Sequence, residues 1–212
     1  MAPDLIKLNR FTTIPFLFDL LRRKKLSLLN PAFWEDFNDR ETIEIYRKAV
    51  KAKSIYALCM TYKNETIHHW NAFANGTSGC CIEFSPGRLT ELLDRNGILH
   101  GKTAYIRVRD LATSKIEKER LPFVKREPFS PESEYRLIAL SGKKQEASFD
   151  IDIDLDIIRK ITISNKVPKT VFESLKASIK EMVPQCRAKI YHSTLYNNAD
   201  WIGHFRNLGN GV

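Results

Sequence analysis

The segment around Glu134 holds the residues in this chain whose types and spacing are best suited to chemistry. Read as a β-strand, it places Glu132, Glu134 and Arg136 on one face, because side chains alternate along a strand. Residues 137–140 continue it as Leu-Ile-Ala-Leu, which is typical of the interior of a sheet. Charged groups beside such an interior need either ion-pair partners or a cleft that uses them. The sequence leaves both alternatives open.

The composition favours a folded, basic protein. The 212 residues are 43% hydrophobic and 10% aromatic, which suits one domain spanning 1–212 with a real core. The formal net charge of +9 favours polyanionic partners such as nucleic acid, acidic protein surfaces or phosphate-bearing cofactors. No apolar run is long enough to span a bilayer, and the first residues do not read as a signal peptide. A cytoplasmic protein without a membrane partner is therefore expected.

Three motifs that suggest a metal site or a disulfide framework fail on spacing. No two cysteines form a C-x-x-C pair, which indicates reduced, buried thiols; they are Cys59, Cys80, Cys81 and Cys186. His68 and His69 are adjacent, so on a helix they diverge by about 100° and cannot grip one zinc ion as two histidines one turn apart do. The aspartate run over 150–156 lacks the glycine and the final glutamate of a calcium loop. No metal is expected.

The elements that must position the charged strand alternate irregularly between helices and strands. Strands are predicted over 5–11, 26–29, 54–62, 78–84, 103–108, 132–140, 151–155, 158–163 and 188–195. Helices are predicted from Thr12 or Thr13 to about residue 25, and over 42–53, 66–74, 86–93, 111–124 and 168–183. This order predicts an α+β fold, a single mixed domain with a central, mostly antiparallel sheet flanked by helices.

Residues 32–39 are predicted to form an ordered loop with two alternative roles. They are too polar for a strand and poorly periodic for a helix. Trp34 could stack on a planar ring of a ligand. Asn38 and Asp39 could bind that ligand, or they could tie the loop to its own backbone.

Five pieces of the chain, in order, resemble a bacterial family defined only as a domain of unknown function. They are residues 9–11 (Asn-Arg-Phe), 28–31 with 37–39 (Leu-Leu-Asn-Pro and Phe-Asn-Asp), 69–70 (His-Trp), 79–84 (Gly-Cys-Cys-Ile-Glu-Phe) and 132–136 (Glu-Ser-Glu-Tyr-Arg). The resemblance covers about residues 5–165, and the helix and strand over 166–212 are assigned to the same domain. Members usually have proline after Asn-Asp, whereas Arg40 stands here.

The layout is also similar, more loosely, to that of ADP-ribosyltransferases, which use NAD. This resemblance implies that Arg10 grips the pyrophosphate, that Trp34 packs on nicotinamide, and that Glu134 stabilises the cation that develops on the ribose. Arg136 would orient Glu134 and keep it ionised, and His69 would touch the substrate. Asn38 and Asp39 are the further cofactor-binding candidates. The nucleophile would come from the target, so no internal serine or cysteine is required.

Two functions are therefore carried forward. The first is a NAD-consuming enzyme of the ADP-ribosyl-transfer type, a toxin or phage-defence protein that acts on nucleic acid or on a protein and that could have an antitoxin or defence-system partner. The second is a non-catalytic, basic nucleic-acid-binding module, suggested by the basic clusters at 22–25 and at Arg107, Arg109, Lys115 and Lys118. The two differ in geometry, because the enzyme requires Arg10 and Glu134 to face one cleft.

Overall fold

The computed structural model describes residues 6–74 and 76–209. The strands are β1 (Leu8–Thr13), β2 (Lys25–Leu29), β3 (Ser54–Thr61), β4 (Gly79–Phe84), β5 (Leu99–Lys102), β6 (Ala104–Ile106), β7 (Val124–Arg126), β8 (Glu134–Ser141), β9 (Ser148–Asp152), β10 (Ile158–Ile163) and β11 (Lys189–His192). The helices are α1 (Ile14–Arg23), α2 (Phe37–Ala49), α3 (Ile67–Phe73), α4 (Pro86–Arg95), α5 (Lys169–Met182) and α6 (Ala199–Gly209).

Nine of these strands form one sheet. Its order is β11-β10-β4-β1-β3-β2-β9, and β8 pairs with β3 on one side and β5 on the other. Every pair in it is antiparallel except β10 with β11, which confirms the predicted α+β class with a mostly antiparallel sheet. β6 and β7 form a separate parallel pair. Within the described residues, no helix is long and apolar enough to cross a membrane.

The main apolar core covers one face of the sheet. Tyr135, Leu137 and Ala139 of β8 point into it, and the alternate residues of β8 point to the other face, as the alternation predicts. Helix α1 covers the core face with Leu17, Leu20 and Leu21, which are all buried. Helix α4 adds Leu89 and Leu93 to the same core.

Helix α3 is packed very closely against the start of β4 at Gly79. A Cβ atom at this position would lie 1.9 Å from the backbone oxygen of Ala74, a distance that real Cβ atoms do not reach. Because that oxygen belongs to the backbone, it cannot move aside as a flexible side chain would. The glycine therefore fixes how near α3, which carries His69 and Trp70, can lie to the sheet.

Several predicted elements are wrong or shorter than expected. Residues 111–124 are turns and a short 3-10 helix over Lys118–Phe123 that contains Pro122, because a proline lacks the N–H of a regular α-helix. Of the residues 32–39 that were predicted as a loop, 37–39 instead form the first turn of α2, which begins at Phe37. Glu132 lies in a 3-10 turn and not in the strand, since Ser133 adopts a left-handed φ of 45°. Leu5, predicted to begin the first strand, lies outside the described residues.

Candidate functional site

Arg136 is the centre of a buried charge cluster on the sheet face opposite the main core. Its side chain is 0% exposed, yet all five of its N–H groups are used. Two donate to the oxygens of Glu134 at 2.7 and 2.8 Å, and two donate to the oxygens of Asp39 at 2.8 Å each. The fifth donates to the backbone oxygen of Pro122 at 2.9 Å. The guanidinium thus holds two carboxylates in fixed positions, each by a bidentate pair.

Lys125 is the second cation of the cluster, and it comes from β7. Its Nζ lies 2.7 Å from Glu132 Oε2, 3.8 Å from Glu134 Oε2 and 3.7 Å from Asp39 Oδ2. It also lies over the ring of Phe129, 4.6 Å from the ring centroid. Lys125 therefore touches all three carboxylates of what we call the charge cluster, which consists of Asp39, Lys125, Glu132, Glu134 and Arg136.

The pKa values of the three carboxylates in the charge cluster are shifted in different directions. Burial alone would raise the pKa of Glu134, but the charge and hydrogen bonds of Arg136, helped by Lys125, hold it below its ordinary value. Burial raises the pKa of Asp39 and of Glu132 above the ordinary values, because their cationic neighbours compensate less. Of the three acids, Glu134 is thus the one held most firmly as an anion.

The cluster carries an excess of negative charge when its acids are ionised, since three carboxylates face two cations. A buried ion cluster with a purely structural role gains most when its charges balance, because an uncompensated buried charge is costly. Because the pKa values of Asp39 and Glu132 are raised and that of Glu134 is lowered, a proton that removes this excess binds to Asp39 or Glu132 before it binds to Glu134.

Local structure explains how residues distant in sequence meet here. Asp36 caps α2 by accepting hydrogen bonds from the backbone N–H groups of Asn38 and Asp39. This places Asp39 in the first turn of α2, where it faces Arg136 on β8. The ring of Trp34 lies over the guanidinium of Arg136, with its centroid 5.2 Å from Cζ.

A small pocket of about 40 Å³ opens beside Glu134. Its residues are Asn9, Phe11, Cys59, Met60, Thr61, His69, Phe73, Glu132 and Glu134. Asn9 Oδ1 is buried and accepts no hydrogen bond within the described part of the chain, while its Nδ2 donates to Lys63 O at 2.8 Å. A buried acceptor without a donor costs free energy, so it suits a ligand that supplies an N–H or O–H group.

His69 is a buried wall of this pocket and makes a full set of hydrogen bonds. Its Nε2 lies 2.9 Å from Glu132 O, and its Nδ1 lies 3.0 Å from Thr66 Oγ1. Its ring stacks on Phe11 with centroids 5.1 Å apart. Burial lowers the pKa of His69, so the ring is neutral at pH 7, donating to the carbonyl and accepting from the hydroxyl.

A larger groove of about 410 Å³ borders the other side of the charge cluster. Asp39 and Lys125 form its buried end, and apolar side chains such as Phe37, Ile45 and Val108 form its exposed walls. Asp36 Oδ2, which lines this groove, is buried and has no hydrogen-bond donor among the described residues. The charge cluster thus separates two cavities, and each has one unsatisfied acceptor.

Arg10 does not reach the site. Arg10 pairs with Ile82 of β4 and lies on the same face of β1 as Leu8. Ile82 and Leu8 belong to the main core, whereas Phe11, the next residue, faces the pocket on the other side of the sheet. Arg10 is 8% exposed and makes no hydrogen bond or ion pair with any described residue. Burial lowers its pKa to about 10. The prediction that Arg10 and Glu134 face one cleft is therefore wrong, because they lie on opposite faces of the sheet.

The other predicted site residues are divided between the two cavities. Glu134 and His69 line the small pocket, Asn38 and Asp39 line the groove, and Arg136 lies buried between them. Trp34 faces Arg136 and lines neither cavity. Sequence analysis missed Lys125, which lies in a segment predicted to follow a helix. It also missed Asn9, whose neighbours in sequence give no sign of a pocket.

The predicted basic clusters are partly neutralised by acids. Arg23 pairs with Asp19 and Asp150, and Lys25 pairs with Asp152. Arg107 pairs with Asp110 at 2.6 Å. Among residues 6–74 and 76–209, no group of histidine, cysteine, aspartate or glutamate side chains is arranged to hold a metal ion.

Comparison with known proteins gives structural matches alone. No protein-family model and no curated protein matches the chain, so the five-piece family resemblance stays a prediction. The structure is similar to that of Thermus sp. 2.9 DarT in complex with ADP-ribosylated ssDNA, with 14% identity, a TM-score of 0.45, and 90% of this chain and 95% of that chain covered. The structure of the same protein in complex with NAD+ is similar as well, with 10% identity and a TM-score of 0.43. That match covers 91% of this chain and 98% of the other chain. Similarity at this level is no basis for assigning a function.

Proposed function

We propose that the chain is a NAD-consuming transferase of the ADP-ribosyl type, with Glu134 as its catalytic carboxylate. The observation that carries this proposal is the position of Glu134 at the edge of a pocket, where Arg136 and Lys125 contact its carboxylate oxygens and lower its pKa. Loss of nicotinamide from NAD develops positive charge on the ribose. A carboxylate that is already oriented stabilises such charge without having to reorganise.

The surrounding residues have distinct roles in this proposal. Arg136 and Lys125 are positioning residues that keep Glu134 ionised and in place. Asn9 Oδ1 would accept an N–H or O–H group of the substrate, and the rings of Phe11 and Phe73 give the pocket an aromatic wall. His69 stacks on Phe11 as a neutral ring and so shapes the pocket without transferring a proton. Arg10 and Glu134 lie on opposite faces of the sheet, so the shared cleft that the resemblance required of them is absent. The proposal therefore rests on Glu134 without Arg10, and other cations would have to bind the pyrophosphate.

The test is the release of nicotinamide from NAD, with label transfer followed separately into nucleic acid and protein fractions of a cell extract. We expect Glu134→Gln to lower the rate by about 100-fold or more, the usual cost of losing one preorganised electrostatic group. Glu83→Gln is the matched control, since Glu83 is a strand carboxylate paired with a lysine, Lys160 at 3.3 Å. It should keep the wild-type rate.

Two results would contradict the proposal. One is the absence of nicotinamide release by the wild-type protein with both fractions present. The other is an equal rate for Glu134→Gln and Glu83→Gln, with both variants folded by circular dichroism. Either would leave a non-catalytic nucleic-acid-binding role as the better account of the +9 charge.

A further inference from the structure

The groove of about 410 Å³ on the far side of the charge cluster takes no part in the proposed function. It runs between the first half of α2 and the segments over 106–111 and 124–126. The residues that the proposed function assigns to substrate, Asn9 and Glu134, line the other cavity. We call the larger cavity the α2 groove, and its chemistry is independent of the smaller pocket.

The walls of the α2 groove are large apolar side chains that face solvent. Phe37 and Ile45 of α2 are 59% and 58% exposed, and Val108 and Leu111 across the groove are 64% and 50% exposed. Exposed apolar side chains gathered in one concave surface mark a binding site. The volume lies within the range of about 300–1,000 Å³ that is usual for small-molecule sites. The walls therefore suit the apolar body of a small molecule.

The polar end of the groove has one carboxylate oxygen without a partner. Asp36 uses its Oδ1 to cap α2, accepting from the backbone N–H groups of Asn38 and Asp39. Its Oδ2 is buried and accepts from no group among residues 6–74 and 76–209. A buried carboxylate oxygen without a donor is costly, because it has lost its hydration and gained nothing in return. This end of the groove therefore suits a ligand that brings a hydrogen-bond donor with positive charge.

The cations near this end do not meet that need. Lys125 Nζ lies 2.7 Å from Glu132 Oε2 and also contacts Asp39 and Glu134, so it is shared among three acids. Arg126 is exposed at the rim of the groove and does not reach Asp36 Oδ2. The chain as a whole carries a net charge of +9 and so repels a cationic ligand at long range. A preference for a cation in this groove would thus be the work of its own carboxylates.

We propose that the α2 groove binds a small molecule with an apolar body and one primary ammonium group, which donates a hydrogen bond to Asp36 Oδ2. An ammonium fits better than a guanidinium here, because a guanidinium fork pairs best with two free oxygens and Asp36 offers one. The apolar body lies against Phe37, Ile45, Val108 and Leu111. This inference goes beyond the proposed function and does not depend on it.

The experiment is a protein-observed NMR titration with three probes that share one indole ring and differ in charge. Tryptamine is a cation, tryptophol is its neutral alcohol, and indole propionate is an anion. We expect tryptamine to bind about tenfold more tightly than tryptophol, the usual gain when a hydrogen bond involves a charged donor, and indole propionate to bind most weakly. The shifted amide signals should belong to residues 36–45 and 106–111.

Asp36→Asn isolates the unpaired oxygen from the helix cap. Asparagine caps a helix as well as aspartate does, so Oδ1 can keep its two bonds, while an NH₂ group takes the place of Oδ2. The affinity for tryptamine should fall about tenfold, and the affinity for tryptophol should stay the same, because a hydroxyl can accept as well as donate. The matched control is Asp200→Asn, which removes a carboxylate from the first turn of α6, outside the groove, and should leave both affinities unchanged.

Ile45→Ala tests the apolar wall. It should weaken tryptamine and tryptophol alike by about threefold or more, since both probes lose the same apolar contact. Ile202→Ala, an exposed isoleucine of α6, is its control and should have no effect. Circular dichroism shows whether each variant keeps its fold.

Three results would overturn the inference. The first is equal affinity for tryptamine and indole propionate. The second is the same tryptamine affinity in Asp36→Asn and Asp200→Asn, with both variants folded. The third is a dimer that dissociates in Ile45→Ala, because a second copy of the chain would then fill the groove. All titrations are made without NAD, so a failure of the proposed function leaves their outcome unaffected.

Discussion

Leu137 and Arg136 are neighbours on β8 and are both 0% exposed, but they face regions of opposite chemistry. Leu137 packs in the main core, where burial of apolar surface stabilises the fold without any partner to be met. Arg136 is buried only because five acceptors surround it. Side chains that are equally buried on the two faces of one strand thus differ in the free energy needed to remove them from water. The costly face is the one that borders both cavities.

Removal of the central cation should have the largest effect on stability. Arg136→Leu leaves Glu134 and Asp39 buried without their bidentate partner, which should lower the free energy of unfolding by about 3–5 kcal/mol. Urea denaturation measures the change. The double variant Glu134→Leu, Arg136→Leu should regain part of the loss, because fewer uncompensated charges remain. A loss below about 1 kcal/mol for Arg136→Leu would mean that the charges reach water and are not buried as described.

Truncation on the other face should cost somewhat less and leave the site intact. Leu137→Ala removes three carbon atoms from the main core and should lower the free energy of unfolding by about 2–4 kcal/mol, within the range for leucine truncation. The rate of nicotinamide release per folded molecule should be unchanged. If activity fell as far as in Glu134→Gln, the two faces of β8 would be coupled and the comparison above would fail.

The smallest effect is a pH dependence from His69. Its folded-state pKa is lowered by burial, so below pH 6.5 the unfolded state binds more protons than the folded state. Stability should therefore fall as the pH is lowered from about 7 to 5. In His69→Gln this fall should be smaller than in the wild type, as measured by urea denaturation at each pH, while the exposed His68 serves as a control when replaced by glutamine. Identical pH profiles for His69→Gln and the wild type would contradict a buried neutral ring.

The strand pattern of this chain was predictable, and the partners of its charges were not. Alternation around Glu134 correctly separates Arg136 from Leu137, because that signal is local. Lys125 reaches Glu132 and Asp39 through the chain's path over 104–126, which is mostly turns with no periodic pattern.

The error over Arg10 has a related cause. The family layout gave the order of arginine, aromatic residue and glutamate along the chain, but order does not determine the face of a strand. Moving the arginine by one residue would exchange it with Phe11, since neighbouring residues alternate between faces. The alternation around Arg10 is weak evidence, because residues 8–12 of β1 are all buried on either side. The sequence around Arg10 therefore did not indicate which face of the sheet its side chain lies on.

Gly79 has a consequence for how related sequences should be compared with this one. Since a methyl group there would collide with the backbone at Ala74, a homologue with alanine at this position must carry α3 farther from the sheet. His69 would move with that helix, and the pocket beside Glu134 would change in width even if every residue that lines it were the same. Glycine at position 79 is thus a better marker of a shared pocket than a glutamate at position 134.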